Sequence, residues 1–363
     1  MRPGENIAVF LPNWVGDVVM ATPALRALRE HFNSARITYI GRQAPLAALS
    51  GAPWADDVMP DLSRQRPGAA NFPAQVARLR RRRFDLAVLL PNSFRSALLA
   101  RLAGVRRIAG YDRQHRGWML TDKLPAARQA DGGFLPMSAV RYYMDLLGVL
   151  GVDCPAAGRL ELAVTDFEAR AADEILDRAL PRRGGPIVML NPGASFGTSK
   201  MWDPSRYAEL ADLLVRRRRA RIIINAAPSE REIAAEVGRA METRPAVNFA
   251  DRDNTLGLLK GLLRRCALLV TNDTGARHVA AALGIGVVTL FGSTDPRWSE
   301  IDCAWERIVR VDVRCSPCQS KLCLQPAGPT YHQCMSAITA DMVLAACGEV
   351  LDLVARGKKG AAP

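Results

Sequence analysis

The sequence predicts a doubly wound α/β fold built from two Rossmann-like halves. Short aliphatic runs alternate with helical stretches along the whole chain of 363 residues, which is the pattern of parallel strands joined by crossover helices. The alternation stops at 181–186, Pro-Arg-Arg-Gly-Gly-Pro, where neither element can continue, and then starts again. A chain of this length suits two domains rather than one core. We therefore predict two domains that face each other across a cleft.

Continuous apolar runs mark the strands, because strands buried on both faces of a sheet show no polar alternation. In the first half we predict strands at 7–11, 37–40, 57–59, 86–90 and 107–109, and helices at 18–31, 44–50, 74–82 and 95–102. In the second half we predict strands at 187–190, 222–225, 247–249, 267–271, 287–291 and 308–311, and helices at 166–179, 205–217, 230–241, 256–266, 276–283 and 340–354. The predicted domains are 1–165 and 166–340, the second with a Cys-rich segment at 315–334, followed by a C-terminal helix and tail at 341–363.

The composition is that of a globular protein with an anionic partner. Hydrophobic residues make up 49% of the chain and charged residues 23%, which argues against a disordered chain. The net charge of +13 fits a nucleotide sugar, a phosphorylated lipid, a nucleic acid or an anionic membrane surface. Arginine runs at 80–83 and 216–219 each end a predicted helix, where cations complement the helix dipole. No nucleic-acid-binding motif accompanies them.

The sequence carries no pattern of membrane insertion or export. No apolar run reaches the roughly 20 residues that span a bilayer, and residues 1–6 lead into the first strand without a cleavage site. We therefore expect a cytoplasmic protein, in which the eight cysteines do not form a disulfide framework.

The loop after the first predicted strand places a carboxylate where a helix begins. It runs from Pro12 to Asp17, and Gly16 allows a tight turn just before the helix. Asp17 is suited to cap that helix, since Asp is a favoured N-cap residue. It is equally suited to act as a general base that accepts a proton from a sugar hydroxyl. These residues alone leave both roles open.

The loop at 191–202, which follows the first strand of the second half, has the composition of a diphosphate-binding loop. It contains Gly, Ser and Thr residues and a single lysine, Lys200. Backbone N–H groups, small hydroxyls and one ammonium are the groups that a diphosphate needs. The loop lacks both the Gly-Lys-Ser/Thr ending of a Walker A loop and the Gly-x-Gly-x-x-Gly signature.

A third loop, Asn272-Asp273-Thr274-Gly275, opens an Ala-rich helix that carries His278. The N-terminus of a helix offers N–H groups and a positive dipole end, which suit a phosphate. Asp273 is a candidate for holding a sugar hydroxyl or for capping the helix, and a lone His is often only a hydrogen-bonded helix residue. Aspartic proteases also carry Asp-Thr-Gly, but their all-β fold is incompatible with this α/β pattern.

Together, in this order and spacing, the three loops resemble glycosyltransferase family 9, whose best-known members are bacterial heptosyltransferases. The resemblance covers nearly the whole chain. Segment 12–17, the loop at 92–97 and the cysteines from Cys315 to Cys334 are more similar to the heptosyltransferase II branch than to heptosyltransferase I. The family implies a GT-B fold and an inverting, metal-independent transfer of L-glycero-D-manno-heptose from its ADP derivative. In that branch the acceptor is the first heptose of the lipopolysaccharide inner core, a lipid-linked and anionic oligosaccharide at a membrane surface.

The resemblance also implies roles for individual residues. Asp17 matches the catalytic base and Lys200 the lysine that contacts the diphosphate. The remaining donor-site matches are Ser195, Thr198, Glu230 (as a ribose-binding acid), Asp273, Thr274, Gly275 and His278. On the acceptor side the candidates are Asn13, Asn92, Ser93, Arg95, Arg113 and Arg116.

Four cysteines near the C-terminus are candidate metal ligands. Cys315, Cys318, Cys323 and Cys334 lie within a short segment and could hold a structural zinc tetrahedrally. Their spacing is not that of a standard zinc finger, and a loop of reduced thiols is the alternative. No thiolate is needed for the transfer, and the resemblance implies that catalysis requires no cofactor.

Three other functions remain open from the sequence. A different family 9 transferase would use another activated sugar. A sugar-nucleotide 2-epimerase shares the two-domain architecture but needs no lipid acceptor. A nonenzymatic binder of anionic lipid or nucleic acid would explain the charge but would leave Asp17, Lys200 and Asp273 without a role.

Overall fold

The computed structural model describes residues 5–64, 71–155, 158–180, 184–194 and 197–360. The chain divides into two compact units. Unit 1 comprises Met1–Ala163 with Arg297–Asp302, and unit 2 comprises Val164–Pro296 with Cys303–Pro363. The border lies close to the predicted one at 165. The C-terminal helix belongs to unit 2, whereas a short segment late in the chain belongs to unit 1.

Unit 1 is built on a sheet of six parallel strands in the order β3-β2-β1-β4-β5-β6. The strands are β1 (Asn6–Phe10), β2 (Arg36–Gly41), β3 (Asp57–Pro60), β4 (Leu86–Leu89), β5 (Arg107–Asp112) and β6 (Asp122–Pro125). This is the Rossmann order, in which the direction of winding switches between the first and fourth strands. The sequence did not reveal β6, which is a short edge strand with alternating half-buried and exposed residues.

The helices of unit 1 are α1 (Val15–Met20), α2 (Thr22–His31), α3 (Gln43–Ala48), α4 (Asn71–Arg82), α5 (Phe94–Leu102) and α6 (Ala139–Leu147). The single helix predicted at 18–31 is two helices that meet at Ala21. Pro23 lies in the first turn of α2, where its missing N–H has no helical partner to lose, so it favours a new start rather than a continuous helix. Helix α6 was not predicted from the sequence.

Unit 2 repeats the same topology. Its strands are β7 (Ile187–Asn191), β8 (Arg221–Ile224), β9 (Val247–Asn248), β10 (Leu268–Asn272), β11 (Gly286–Leu290) and β12 (Glu306–Val309). All are parallel, in the order β12-β11-β10-β7-β8-β9, so the switch falls between β7 and β10. The prediction of two doubly wound Rossmann-like domains is confirmed.

The helices of unit 2 are α7 (Asp166–Ala179), α8 (Pro204–Arg218), α9 (Arg231–Ala240), α10 (Leu256–Arg265), α11 (Gly275–Ala282), α12 (Gln333–Ser336) and α13 (Ala340–Gly360). A capping box between Thr165 and Glu168 starts α7 where the sequence predicts it. The buried residues Val343, Cys347 and Val350 fix α13 to the unit 2 core, where Val350 packs so closely on Gly286 that a Cβ there would lie 2.5 Å away. Within the described residues, no helix is long and apolar enough to cross a membrane.

Candidate active site

The predicted loops of unit 1 lie at the switch point of its sheet. The loop after β1 carries Asn13 and leads to Asp17, and the loop after β4 carries Asn92 and Ser93 and leads to Arg95, the second residue of α5. Strands β1 and β4 are parallel neighbours, with Phe10 opposite Leu89 at their carboxyl ends. Ligands of doubly wound sheets bind in this crevice, so the topology brings together two loops that are about 80 positions apart in the sequence.

Asp17 is the third residue of α1, not its N-cap. The N-cap position belongs to Trp14, which makes no side-chain capping bond. The Asp17 side chain is half-buried at the positive end of the helix. Burial and then the negative charge of Asp17 raise the pKa of the Tyr143 hydroxyl. The prediction that Asp17 is the N-cap of this helix is therefore wrong, and its role as general base stays a prediction.

Asn13, Ser93 and Arg95 line one cleft, together with Arg42 and Asp61. Ser93 is also the N-cap of α5, where its hydroxyl accepts a hydrogen bond from the N–H of Ser96. The Arg95 guanidinium donates to the hydroxyl of Ser63 at 3.0 Å and to its carbonyl oxygen. These contacts fix the positively charged Arg95 guanidinium and the polar loop before it at the carboxyl ends of β1, β2 and β4.

Arg116 differs from the expectation of a direct acceptor contact. Its side chain is fully buried, and burial lowers the pKa of its guanidinium to about 10. The guanidinium donates to the carbonyl oxygens of Tyr111 and Pro91, at 3.1 and 2.5 Å, and to that of Ser93 at 3.2 Å. An arginine committed to backbone carbonyls in the interior supports the loop after β4 and is not available to a bound sugar.

Arg113 lies in a neighbouring pocket of unit 1. Its guanidinium stacks over the Phe134 ring, 3.5 Å from the centroid. The pocket also contains Tyr111 and Tyr142, whose rings stack at 3.7 Å. The Tyr142 hydroxyl donates to Oδ1 of Asn92 at 3.0 Å, which joins this pocket to the loop after β4.

In unit 2, Lys200 and Asp273 meet at the switch point. Lys200 ends a short helical turn, Thr198–Lys200, in the loop after β7, and Asp273 directly follows β10. The Lys200 Nζ atom donates to Oδ2 of Asp273 at 2.6 Å and to its carbonyl oxygen at 3.1 Å. Both side chains are about nine-tenths buried, with relative exposures of 10% each. The two loops expected to bind a diphosphate are thus joined by a buried ion pair.

The Asp273 carboxylate is held in its charged form. Burial would raise its pKa, but Lys200, then Arg277 and His278, lower it below the usual value. Thr294 adds a hydrogen bond of 2.9 Å to Oδ2. A fixed negative charge beside the lysine is suited to accept hydrogen bonds from a sugar hydroxyl.

The N-terminus of α11 lies beside this pair. Thr274 is the N-cap and Gly275 the first helical residue, so the idea that Asp273 caps the helix is wrong. The Thr274 hydroxyl lies 3.1 Å from that of Thr271 and accepts a 3.3 Å bond from Asn191. The N–H groups of the first turn therefore face the switch point without a capping side chain, as an anion site requires.

His278 is buried one turn into α11, with a relative exposure of 3%. Burial, and then the charge of Arg277, lower the pKa of the imidazole to about 3, so the ring is neutral. Its Nδ1 atom has no hydrogen-bond partner among the described residues. A neutral ring with an unused buried nitrogen is suited to bind a ligand group at the head of α11.

The other predicted donor residues lie near the loop after β7, with one outside the described residues. Glu230 lies against Gly193: a Cβ on that glycine would be 2.1 Å from the Glu230 carboxyl carbon. Thr198 is exposed at the start of the helical turn that contains Lys200. Ser195 lies outside the described residues.

A polar network that was not predicted from the sequence lies beneath these loops. Asn272 donates from its side chain to the carbonyl oxygens of Pro192 and Gly193, at 2.8 and 3.2 Å. Arg277, which is fully buried, forms a two-point ion pair with Glu306 at 2.6 and 2.9 Å. Asn272 could have been identified from the sequence, because it is a polar residue at the carboxyl end of a predicted buried strand. The Arg277–Glu306 pairing could not, because it depends on the tertiary fold.

The Cys-rich segment packs on the loop after β7. The carbonyl oxygen of Lys321 accepts from the N–H of Ser199 at 3.2 Å, and that of Ser320 from the Ser199 hydroxyl at 2.5 Å. A Cβ on Gly197 would lie 2.2 Å from the Lys321 oxygen, so this close approach requires glycine. The segment therefore supports the turn that presents Lys200.

The four candidate thiols are close enough to interact. Burial, and then Cys315, Cys318 and Cys323, raise the pKa of the Cys334 thiol to about 11. None of the eight cysteines forms a disulfide. Within the described residues, however, no group of three or more His, Cys, Asp or Glu side chains is placed to hold a metal ion. The zinc site at these cysteines stays a prediction.

Comparison with known proteins places these features in a family. The model of glycosyltransferase family 9 (heptosyltransferase) matches residues 74–327. The lipopolysaccharide heptosyltransferase 2 of Escherichia coli K12 is 28% identical over 93% of this chain and 96% of its own length. The lipooligosaccharide heptosyltransferase 2 of Campylobacter jejuni (serotype O:2) is 25% identical, with the same coverage.

A solved structure gives the same picture. The E. coli ADP-heptose lipopolysaccharide heptosyltransferase II superposes with a TM-score of 0.77 at 26% identity, over 96% of this chain and 99% of the other. This likeness extends across both units, and the family model spans the loops after β4, β7 and β10. The chain belongs to glycosyltransferase family 9.

Proposed function

We propose that this protein transfers L-glycero-D-manno-heptose from ADP-heptose to the first heptose of the lipopolysaccharide inner core. The observation that carries the proposal is the buried Lys200–Asp273 pair beside the N-terminus of α11. The Lys200 ammonium is suited to bind a diphosphate, and the Asp273 carboxylate is suited to accept hydrogen bonds from a sugar. The heptosyltransferases 2 named above, which match over more than nine-tenths of the chain, support heptose as that sugar.

Unit 2 holds the donor in this proposal. The Lys200 ammonium and the N–H groups at Thr274 and Gly275 bind the diphosphate, because both carry positive charge toward the same point. Glu230, next to Gly193, accepts from the ribose hydroxyls. Asp273 and the neutral His278 bind hydroxyls of the sugar.

The chemistry is a single displacement with inversion at the anomeric carbon. Asp17 takes the proton from the acceptor hydroxyl, whose oxygen forms the new bond to C1 as the bond from C1 to the diphosphate oxygen breaks. ADP leaves with the electron pair. Lys200 and the α11 N-terminus stabilise the negative charge that develops on the diphosphate. We propose that these groups suffice without a divalent metal.

Unit 1 binds the acceptor. Asn13, Ser93 and Arg95 line the cleft after β1 and β4. Asn92 lies in the same loop as Ser93, and Arg113 provides a second cation in the pocket that Tyr142 joins to that loop. The buried Arg116 positions the loop after β4 through its hydrogen bonds to the carbonyl oxygens of Pro91 and Ser93. The net charge of +13 complements an acidic, lipid-linked oligosaccharide. We place the protein in the cytoplasm, in peripheral contact with the inner face of the membrane.

Calorimetric titration of donors separates this proposal from its rivals. We expect ADP-heptose to bind in the presence of a chelator, more tightly than a UDP-activated hexose. Tighter binding of the UDP-sugar would instead indicate a different family 9 transferase. A 2-epimerase would convert the nucleotide sugar with no acceptor present, so unchanged ADP-heptose after incubation alone is the second expected result.

A further inference from the structure

One face of unit 1 combines unpaired arginines with exposed apolar side chains. A groove along α4 is lined by Phe72, Pro73, Val76, Ala77 and Leu102, with Arg80, Arg81 and Arg83 at its rim. Arg101 and Arg106 flank Leu102 at the end of α5 and in the turn that follows. We call these ten residues the arginine face.

The apolar part of the arginine face is partly open to solvent, through Pro73, Ala77 and Leu102. Leu102 is 43% exposed, and Val58 on the neighbouring strand β3 is 56% exposed. Helix α4 buries only Gln75 and Leu79 among its described residues. Phe72 and Val76 are half-buried against the core, so the exposed residues Pro73, Ala77 and Leu102 are the part of the groove that is open for another contact.

The charges of this face are largely uncompensated. Arg80 donates to the carbonyl oxygen of Leu102 at 2.7 Å, a bond that leaves its charge in place. In the part of the chain that the structure describes, no carboxylate pairs with Arg81, Arg83, Arg101 or Arg106, and all four are exposed. The neighbouring Arg82 is the exception, since it forms an ion pair with Asp57 at 2.8 Å.

The second arginine run shows that this arrangement is not a general property of helix ends. At the end of α8, Arg216 pairs with Glu242 at 2.7 Å and Arg218 with Asp352 at 3.0 Å. The two runs look alike in sequence, since each ends a helix where cations complement the helix dipole. At the end of α4, Arg80, Arg81 and Arg83 lie beside an apolar groove and have no carboxylate partner among the described residues.

We infer that the arginine face docks on the surface of an anionic lipid bilayer. Basic side chains near such a surface each contribute roughly 1 kcal/mol of attraction, and exposed apolar groups between them enter the headgroup region. A nucleic acid would use the charges but not Phe72, Val76 or Leu102. The purpose of this contact rests on the proposed function, because a lipid-anchored acceptor lies at a membrane surface.

The position of the face agrees with this role. At the start of α4, the Arg95 guanidinium stands over the Phe72 ring, 4.7 Å from its centroid. Arg95 also lines the cleft with Asn13 and Ser93. A bilayer in contact with the arginine face therefore adjoins the cleft in which we place the acceptor sugar.

Vesicle binding of the full chain tests the inference. The parent should bind vesicles of phosphatidylcholine with phosphatidylglycerol and not those of phosphatidylcholine alone. The double variant Arg81→Glu with Arg83→Glu should lose more than about tenfold in partitioning, since removing each charge alone is worth roughly fivefold. Leu102→Ser should weaken binding at high salt, where the apolar contribution dominates.

A matched variant removes the effect of net charge. Arg217→Glu with Arg244→Glu changes two exposed arginines of unit 2 that have no acidic partner among the described residues. It should bind vesicles as the parent does. An equal loss in both double variants, or no loss in the first, overturns the inference, and so does DNA binding through Arg81 and Arg83 in the absence of vesicle binding.

Activity on a lipid-free acceptor separates this inference from the proposed function. Arg81→Glu with Arg83→Glu should transfer heptose to a soluble core oligosaccharide at the parental rate. If the parent transfers no heptose while vesicle binding still depends on Arg81 and Arg83, only the proposed function is wrong.

Discussion

The Lys200 ammonium donates to the Asp273 carboxylate at 2.6 Å across the switch point of the second sheet. One residue comes from the loop after β7 and the other from the end of β10, so the pair joins the two central strands of unit 2. The same two groups are the main candidates for binding the donor diphosphate and sugar. Structure and proposed chemistry therefore depend on one buried pair.

Lys200→Ala should weaken ADP and ADP-heptose binding by more than about tenfold, because a hydrogen bond to a charged group contributes about 1.5–3 kcal/mol. The free energy of unfolding should also fall by about 3 kcal/mol, which is the low end of the cost of removing one partner of a buried ion pair. The cost is at the low end because Thr294 and Arg277 still face Asp273. Calorimetry and chemical denaturation measure these effects, with Lys123→Ala on unit 1 as the control. Unchanged donor affinity would place the diphosphate elsewhere.

Asp17→Asn should abolish nearly all transfer while preserving the fold and ADP binding. Loss of a general base typically slows a reaction by about 10²–10⁴-fold. The fold should survive because Asp17 is not the N-cap of α1 and Asn is close to it in size. Steady-state kinetics with Glu30→Gln, an exposed carboxylate of the same unit, provide the comparison. Normal turnover by Asp17→Asn would remove this residue from the mechanism.

Gly197→Ala should lower donor affinity without affecting unit 1. The new Cβ would lie 2.2 Å from the Lys321 carbonyl oxygen, so the Cys-rich segment and the Lys200 turn must move apart. Overpacking of this kind costs about 1–3 kcal/mol. Gly148→Ala is the matched control, because a Cβ there meets no atom within 4 Å. If both variants bind ADP as the parent does, the Cys-rich segment does not support the donor loop.

The stability of the protein should fall on acidification between pH 7 and pH 5. Burial, and then Arg277, hold the pKa of His278 near 3, below the unfolded value of 6.5. As the pH falls below 6.5, His278 becomes protonated in the unfolded chain but stays neutral in the native state. Acidification therefore stabilises the unfolded chain, and the free energy of unfolding falls. The loss reaches about 2 kcal/mol at pH 5. Asp273, also with a lowered pKa, adds a loss only at lower pH, as its unfolded form protonates.

Denaturation curves of His278→Gln measure this effect, since glutamine does not titrate. That variant should show a flatter dependence of stability on pH than the parent. His115→Gln, on the exposed loop after β5, should follow the parent curve. An unaltered pH dependence in His278→Gln would show that the ring is not buried in its neutral form.

The sequence was sufficient to place the candidate site because the alternation of strands and helices along the chain predicts the fold. Once strands and helices alternate, parallel topology brings the ends of β1 and β4, or of β7 and β10, to one edge. Lys200 and Asp273 were therefore predictable as neighbours in space although 73 positions separate them. The polar residues that follow each buried strand were the sequence feature that indicated the site.

Interactions that depend on packing were not predictable. Arg113 and Arg116 stand three positions apart and look equivalent in sequence, but the first lies in a pocket and the second is fully buried. Among the described residues, one arginine of the run that ends α4, Arg82, pairs with a carboxylate, whereas two of the run that ends α8, Arg216 and Arg218, do so. The helix caps at Trp14 and Thr274, rather than at Asp17 and Asp273, also follow from backbone geometry that composition does not specify.

The most direct test of the central claim is a transfer assay read by mass spectrometry. Purified protein is incubated with chelator, ADP-heptose and a core acceptor that ends in the first heptose. We predict a product heavier by one heptose, formed by the parent and not by Asp17→Asn. An unchanged acceptor, with ADP-heptose bound but not consumed, would contradict the proposed transfer.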